Sequence, residues 1–178
     1  EHVRRLLQAL AHNRQRARDK DVTDAEASEV IGGDEDLQAA WEYVKEQVLS
    51  GKLPLLGCLD PNPVKMRFAH LSLQEFLCVQ HWLTRMSGRQ SVAKSMPTMQ
   101  EMLNDGWWLN SLTLACEGRP ELTNELLGSP PDLKLTGLTG DGPMRVIPRL
   151  VRAYLPETRS LDLRCVRALL SCSLARAD

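Results

Sequence analysis

Between residues 64 and 77 the hydrophobic residues change their spacing, and this change limits the possible folds more than any other feature. The segment Val64-Lys65-Met66-Arg67-Phe68 alternates apolar and basic residues, which is the period of a half-buried strand. The following segment, residues 71–77, has the apolar spacing of a helix. The sequence therefore predicts a strand that passes into a helix with His70 at the junction.

The predicted helix start depends on two short-range patterns. Ser72 and Glu75 have the spacing of a capping box, in which each side chain bonds a backbone N–H near the other residue. Leu71 and Phe76 have the spacing of the hydrophobic staple that often accompanies such a box. His70 would then lie just outside the positive end of the helix, a place that suits a phosphate group and equally suits a structural histidine.

Upstream of this junction the sequence predicts three helices. The first, over residues 2–18, has an apolar stripe and an arginine-rich remainder that we expect to be a solvated face. Thr23 and Glu26 form a further capping box that opens the second helix, which should end at Gly32-Gly33. Asp34 can cap the third helix. The apolar stripe of that helix consists of Leu37, Ala40, Trp41, Val44 and Val48.

A β-hairpin is predicted after these helices, from Leu53–Leu59 and Val64–Phe68. The segment between them, Asp60-Pro61-Asn62-Pro63, has too much proline for a two-residue turn, so we expect a longer loop. Three helices followed by a hairpin is the order of a winged-helix domain. From residue 73 onward the sequence predicts helices only.

The predicted fold class is mainly α: a winged-helix domain followed by an α-helical bundle. Residues 129–143 contain three prolines and three glycines, so we expect a loop or linker there. The expected organisation is a winged-helix domain at 1–70, a helical bundle at 71–128, a linker at 129–143 and a C-terminal helical extension at 144–178.

Composition limits the classes of function. The 178 residues are 43% hydrophobic and have a formal net charge of -1, which provides no overall attraction to nucleic acid or to an anionic membrane. Five scattered cysteines without a CxxC pair indicate reduced thiols and predict a cytoplasmic protein. Cys78 and His81 are three residues apart, but no second pair has ligand spacing, so we expect no metal site. The first residue is Glu1, no signal-like stretch is present and the last residues still have a helical pattern, so we expect either an excised fragment or a sequence that lacks its start.

The motifs of an ATP-hydrolysing enzyme are missing from the sequence. It contains no G-x-x-x-x-G-K-[ST] loop, and the glycine-rich segment at residues 140–143 has no lysine. An aspartate-rich strand that could hold magnesium is missing as well. We therefore expect the chain not to be an enzyme.

Residues 67–77, Arg-Phe-Ala-His-Leu-Ser-Leu-Gln-Glu-Phe-Leu, resemble the segment F-x-H-x-S-F-Q-E-F-x-A of NACHT proteins. These are the nucleotide-binding, leucine-rich-repeat receptors and other signalling NTPases of the STAND class. Residues 6–11 resemble the family's L-x-x-L-A first helix, and Trp107-Trp108 resembles its tryptophan-led helix. The resemblance covers roughly residues 1–127. It departs from the family at Leu73, where phenylalanine is usual, and at Cys78-Val79, where two alanines are usual.

The resemblance implies a function, a ligand and partners. The chain would be the C-terminal regulatory part of a NACHT/STAND signalling NTPase that senses the ADP/ATP state and mediates autoinhibition and oligomerisation, as in NLR-like innate-immune signalling. His70 would contact the β-phosphate of ADP, with no cofactor held by this fragment alone and ADP or ATP with magnesium expected in the full-length parent. The implied partners are the nucleotide-binding domain N-terminal to it in the same chain and further copies of the full-length protein, with no membrane partner.

Two alternatives remain open at this stage. One is a winged-helix nucleic-acid-binding regulator, and the other is a scaffold fragment that retains no switch. The third predicted helix begins Asp34-Glu35-Asp36, and in a nucleic-acid-binding winged helix this is the helix that would face the phosphates. Its acidic start has the wrong sign for that contact, so nucleic acid is an unfavoured partner.

Overall fold

The computed structural model describes residues 1–87, 97, 101–102 and 105–118 of the chain. The chain divides into two compact units, Glu1–Ser91 and Val92–Asp178. The linker predicted at 129–143 and the C-terminal helical extension predicted at 144–178 lie outside the described residues.

The first unit is mainly helical and contains a small three-stranded antiparallel sheet. Its elements, in chain order, are α1 His2–Ala17, β1 Asp21–Thr23, α2 Asp24–Ile31, α3 Glu35–Leu49, β2 Leu56–Pro61, β3 Val64–Phe68 and α4 Leu71–Ser87.

Helix α1 lies against the three other helices of this unit, and its surroundings explain why it is buried on more than one face. The predicted apolar stripe is confirmed at its centre, where Leu6 and Leu10 are fully buried. The prediction that its arginines form a solvated face is wrong for Arg14, which is only 8% exposed. A stripe read from one helix cannot show how many neighbours will pack around that helix.

The ends of α2 and α3 follow the predicted signals. Thr23 and Glu26 form the capping box of α2, and Gly32 ends that helix in the left-handed conformation at φ 56°. The side chain of Asp34 accepts a hydrogen bond from the Leu37 N–H at 3.1 Å and so caps α3. The whole predicted stripe of α3 is buried.

The sheet has the order β1-β3-β2, with β3 at its centre. Val22 of β1 lies opposite Met66, and Leu56 of β2 lies opposite Phe68. All four side chains are buried, so they form the side of the sheet that faces the core. Strand β1 was not predicted, because three residues with one buried valine are too short to show a period.

The prediction of a long hairpin loop is wrong. Pro61 pairs with Val64, which leaves only Asn62-Pro63 as the turn, with a cis peptide bond between them. The Asn62 N–H donates to Asp60 Oδ1 at 2.9 Å within this turn. Proline is tolerated so close to the pairing because β2 is an edge strand, which can lack ladder donors.

Helix α4 packs along α1. It contributes Cys78, Val79 and Trp82 to the core, each no more than 1% exposed. The compact unit that contains α4 continues to Ser91.

Within the second unit, α5 runs over Leu109–Gly118, two residues later than the predicted start at Trp107. The chain turns just before it, where the Trp108 N–H donates to the Asp105 carbonyl at 3.0 Å. Trp108 and Leu112 are buried, whereas Trp107 is half-buried.

Within the part of the chain that the structure describes, no helix combines the length and apolar character needed to cross a membrane.

Candidate functional site

His70 lies on the surface, at the corner between β3 and α4. The corner is fixed by backbone hydrogen bonds on its strand side, from the Phe68 N–H to the Lys20 carbonyl at 3.1 Å and from the Ala69 N–H to the Leu55 carbonyl at 3.0 Å. The His70 carbonyl accepts from the Leu73 N–H at 3.2 Å, which begins the helical bonding of α4. The histidine thus has an accessible side chain on a well-fixed backbone.

The predicted capping box and staple at this corner are wrong. Helix α4 already begins at Leu71, so Ser72 lies within the first turn and does not cap it. Glu75 is only 5% exposed, and Phe76, the expected staple partner, is 48% exposed. The helix starts earlier because the carbonyl of His70 already accepts helical bonds, which leaves the cap position to His70 itself.

Gln74 has a structural role that its position in the motif did not show. The side chain is fully buried, and its Nε2 donates to Gln15 Oε1 at 2.9 Å and to the Asp19 carbonyl at 3.0 Å. The residue thus joins the start of α4 to the end of α1, because α4 turns back along α1.

The strand that leads to His70 carries a group of charged side chains. Asp21 of β1 pairs with Arg67 Nε at 2.5 Å and with Lys65 Nζ at 2.9 Å, both on β3. Hydrogen bonds from these two cations lower the pKa of Asp21 to about 2. Lys65 and Arg67, the two basic residues of β3, thus form ion pairs that link β3 to β1.

The acidic start of α3 is engaged by the first helix. Arg5 donates to Asp34 Oδ2 at 3.0 Å, and His2 Nδ1 lies 3.5 Å from Asp36 Oδ2. The basic residues of α1 at this end are therefore near carboxylates rather than part of an uncompensated basic surface.

A second group of residues, which sequence reasoning did not identify, lies in a cleft between α1, α2 and α4 with a volume of about 530 Å³. We call it the α1–α2–α4 cleft. His12 and His81 both line it, and their rings stack with centroids 4.9 Å apart and planes 15° from parallel. The rings of His12 and the buried Trp82 are close to perpendicular, with their centroids 6.5 Å apart.

His81 is held in its neutral form. Burial, helped by the nearby His12 and Arg85, lowers the pKa of His81 to about 4. Nη1 of Arg85 lies 3.4 Å from Nε2 of His81. Because a guanidinium only donates, Nε2 is the acceptor and the ring proton is on Nδ1.

The buried arginine of the first helix also lines the cleft. Arg14 Nη2 lies 3.2 Å from Asp19 Oδ2, and its Nη1 lies 3.4 Å from Glu26 Oε1. The Nε atom of Arg14 is buried without an acceptor among the described residues. Spacing on α4 could have suggested part of the cleft, since His81 and Arg85 are four residues apart and share a helix face. Nothing in the sequence indicates that α1 supplies the rest.

Cys78 and His81 have the spacing of a metal-ligand pair on α4. Cys78 is fully buried, and burial raises the pKa of its thiol. Among the residues described by the structure, no group of three or more histidine, cysteine or acidic side chains is placed to hold a metal ion. Cys58 and Cys78 are both free thiols.

Comparison of the chain with protein-family models, with curated proteins and with solved structures finds no match.

Proposed function

We propose that this chain is the regulatory part of a NACHT-type STAND NTPase, a switch element that senses the ADP/ATP state of a nucleotide-binding domain. The single observation that carries the proposal is the position of His70: an exposed imidazole at the start of α4, within the sequence that resembles the NACHT motif. An imidazole can donate to a phosphate oxygen, and the first backbone N–H groups of a helix favour an anion nearby. The geometry of this corner fits one contact to ADP.

The element order supports the same proposal. Residues 1–70 provide three helices and a three-stranded sheet in the order α1-β1-α2-α3-β2-β3, the order that a winged helix needs. In such a domain β2 and β3 form the wing, and the strand end after the wing leads into the helical domain. His70 lies at that strand end, so it could join movements of the winged helix and of the helical domain to the bound nucleotide.

In this role the chain does not catalyse. The nucleotide and magnesium would be gripped by a nucleotide-binding domain of the same protein, and His70 would add one phosphate contact that holds the closed, ADP-bound state. We propose a cytoplasmic protein whose opened form oligomerises, as in NLR-like signalling.

The test is the exchange of His70 for alanine in a protein that contains this chain together with its nucleotide-binding domain. A hydrogen bond to a charged group contributes about 1.5–3 kcal/mol, so His70→Ala should speed ADP dissociation about tenfold or more. His2→Ala, a change at another exposed histidine, should leave the dissociation rate unchanged. Melting of the 178-residue chain should not change with His70→Ala, because the side chain is exposed. An ADP dissociation rate equal to that of the unmodified protein would overturn the proposal.

A nucleic-acid-binding winged helix is the second candidate, and the same element order favours it. Its recognition helix would be α3, whose first turn contains Glu35 and Asp36 next to the capping Asp34. Carboxylates at that end repel phosphates, so we expect no salt-sensitive DNA binding in the micromolar range. A DNA titration that gives tight binding, weakening steeply with salt, would instead support this second function.

A further inference from the structure

The α1–α2–α4 cleft has the size and lining of a small-molecule site. Its volume of about 530 Å³ falls within the range of about 300–1,000 Å³ that is usual for ligand pockets. Small apolar side chains line part of it, among them Ala9, Ala17 and Val30. Polar groups from three helices meet on the remainder, which is the arrangement that fixes the orientation of a bound molecule.

The charges around the cleft favour an anion. Arg14, Arg16 and Arg85 line it together with a single carboxylate, Glu29. Arg14 is neutralised by its ion pairs with carboxylates, yet its Nε has no acceptor within the described residues. The other two arginines are exposed.

The stacked imidazoles can donate hydrogen bonds to an anion, and the number of donors depends on whether the rings are protonated. His12 of α1 and His81 of α4 face the cleft, and His81 is kept neutral by burial and by the positive charge of Arg85. An anion next to this ring would reverse that preference, because an opposite charge stabilises the imidazolium form. The protonated ring would then donate to the anion from Nε2, and Arg85, released from His81, could bind it as well.

We propose that the α1–α2–α4 cleft binds a small molecule through a phosphate or similar oxyanion group, held by Arg16, Arg85 and the His12–His81 pair. This site is independent of the nucleotide contact proposed for His70, because His70 lies just before the start of α4, 11 residues before His81, a separation of about 16 Å along a helix. A metal ion on the two imidazoles is less favoured, because the described residues offer no third ligand nearby.

The experiment uses the full 178-residue chain and titrates it with inorganic phosphate and with pyrophosphate, observed by NMR of the histidine ring protons and by calorimetry. We expect saturable shifts of two histidine rings and tighter binding at pH 5.5 than at pH 7.5, with proton uptake. Arg85→Gln and Arg16→Gln should each weaken binding about tenfold or more.

Arg4→Gln is the matched control, since Arg4 is an exposed arginine on α1 outside the cleft. Binding should be unchanged in Arg4→Gln and in His70→Ala, provided that the melting points of all variants agree. The proposal is overturned if neither anion gives saturable shifts, or if Arg4→Gln weakens binding as much as Arg85→Gln. It is also overturned if zinc shifts the two rings while phosphate does not. Retained phosphate binding with an unchanged ADP dissociation rate in His70→Ala would support this site and remove only the nucleotide-sensor proposal.

Discussion

Two parts of α4 stand out for different reasons: its start through a sequence motif, and the region around His81 through its structural surroundings. At its start, His70 stands within a recognisable sequence pattern, but the side chain is exposed and the predicted cap around it is replaced by a different helix start. Farther along, His81 belongs to no motif, yet it is stacked on His12, bonded to Arg85 and shifted to the neutral form. The motif at His70 suggests a contact with another domain, whereas the contacts around His81 suggest a ligand that this chain could bind by itself.

The largest expected difference between these two parts of α4 is the free energy of unfolding that is lost when a side chain is removed. Trp82→Ala removes a fully buried side chain whose ring is close to perpendicular to that of His12, and it should lower the free energy of unfolding by about 3–5 kcal/mol. Phe76→Ala, near His70, should change it by no more than about 0.5 kcal/mol, because that side chain is 48% exposed. Chemical denaturation of both variants measures the two values. Equal losses would mean that Phe76 packs as the predicted staple after all.

The next effect concerns the contact that holds α4 on α1. Gln74→Ala removes the donor to Gln15 and to the Asp19 carbonyl and should cost about 1–3 kcal/mol, since these groups are buried. Gln38→Ala is the matched control: its exposed amide bonds only Glu42 within α3, so the cost should stay below about 0.5 kcal/mol. Denaturant melts compare the two. If Gln74→Ala were as mild as the control, the amide bridge would not be what fixes α4.

A third difference is the change of folding stability with pH, which we expect from His81. The pKa of His81 is about 4 in the folded chain and 6.5 as an ordinary histidine, so the unfolded chain takes up the proton first as pH falls. The stability from the neutral ring is complete above pH 6.5 and is lost between pH 6.5 and about 4. Because the ring is partly exposed, we expect a loss of about 1–2 kcal/mol.

Unfolding measured from pH 7.5 to pH 4 tests this expectation with two matched variants. His81→Asn should flatten the fall of stability over that range, whereas His70→Asn should leave the slope of the unmodified chain in place. A slope that survives His81→Asn would show that another group, such as His12, is responsible.

The smallest effect is expected on the strand that leads to His70. Arg67 and Lys65 lower the pKa of Asp21 from 3.8 to about 2, so its contribution is present above pH 3.8 and is lost as pH falls from there to about 2. Melting points of the unmodified chain and of Asp21→Asn should converge across that interval. Asp36→Asn, a change at an exposed carboxylate, should show no such convergence. The effect is small because both cations are about half exposed, so water screens their attraction to Asp21.

Local patterns predicted the ends of α2 and α3 correctly but not the start of α4, where the predicted box of Ser72 and Glu75 is wrong. The Thr23 and Glu26 box, the Gly32 stop and the Asp34 cap of α3 were predicted from side chains that bond within one helical turn, and the structure has each of them. The hairpin was predicted from its alternating strand, although its turn is shorter than expected. Strand β1 was missed because a three-residue strand exists only through pairing with a distant one.

The sequence by itself determined the helices, the central strand and the position of His70 between strand and helix, because periodicity and capping depend on neighbours within a few residues. Only the tertiary structure decided that Arg14 is buried, that Gln74 joins α4 to α1, and that His12 and His81 stack. These two histidines are 69 residues apart in the chain. Their contact depends on the packing of α4 along α1, which is set by the shape of the whole core and not by a local sequence pattern.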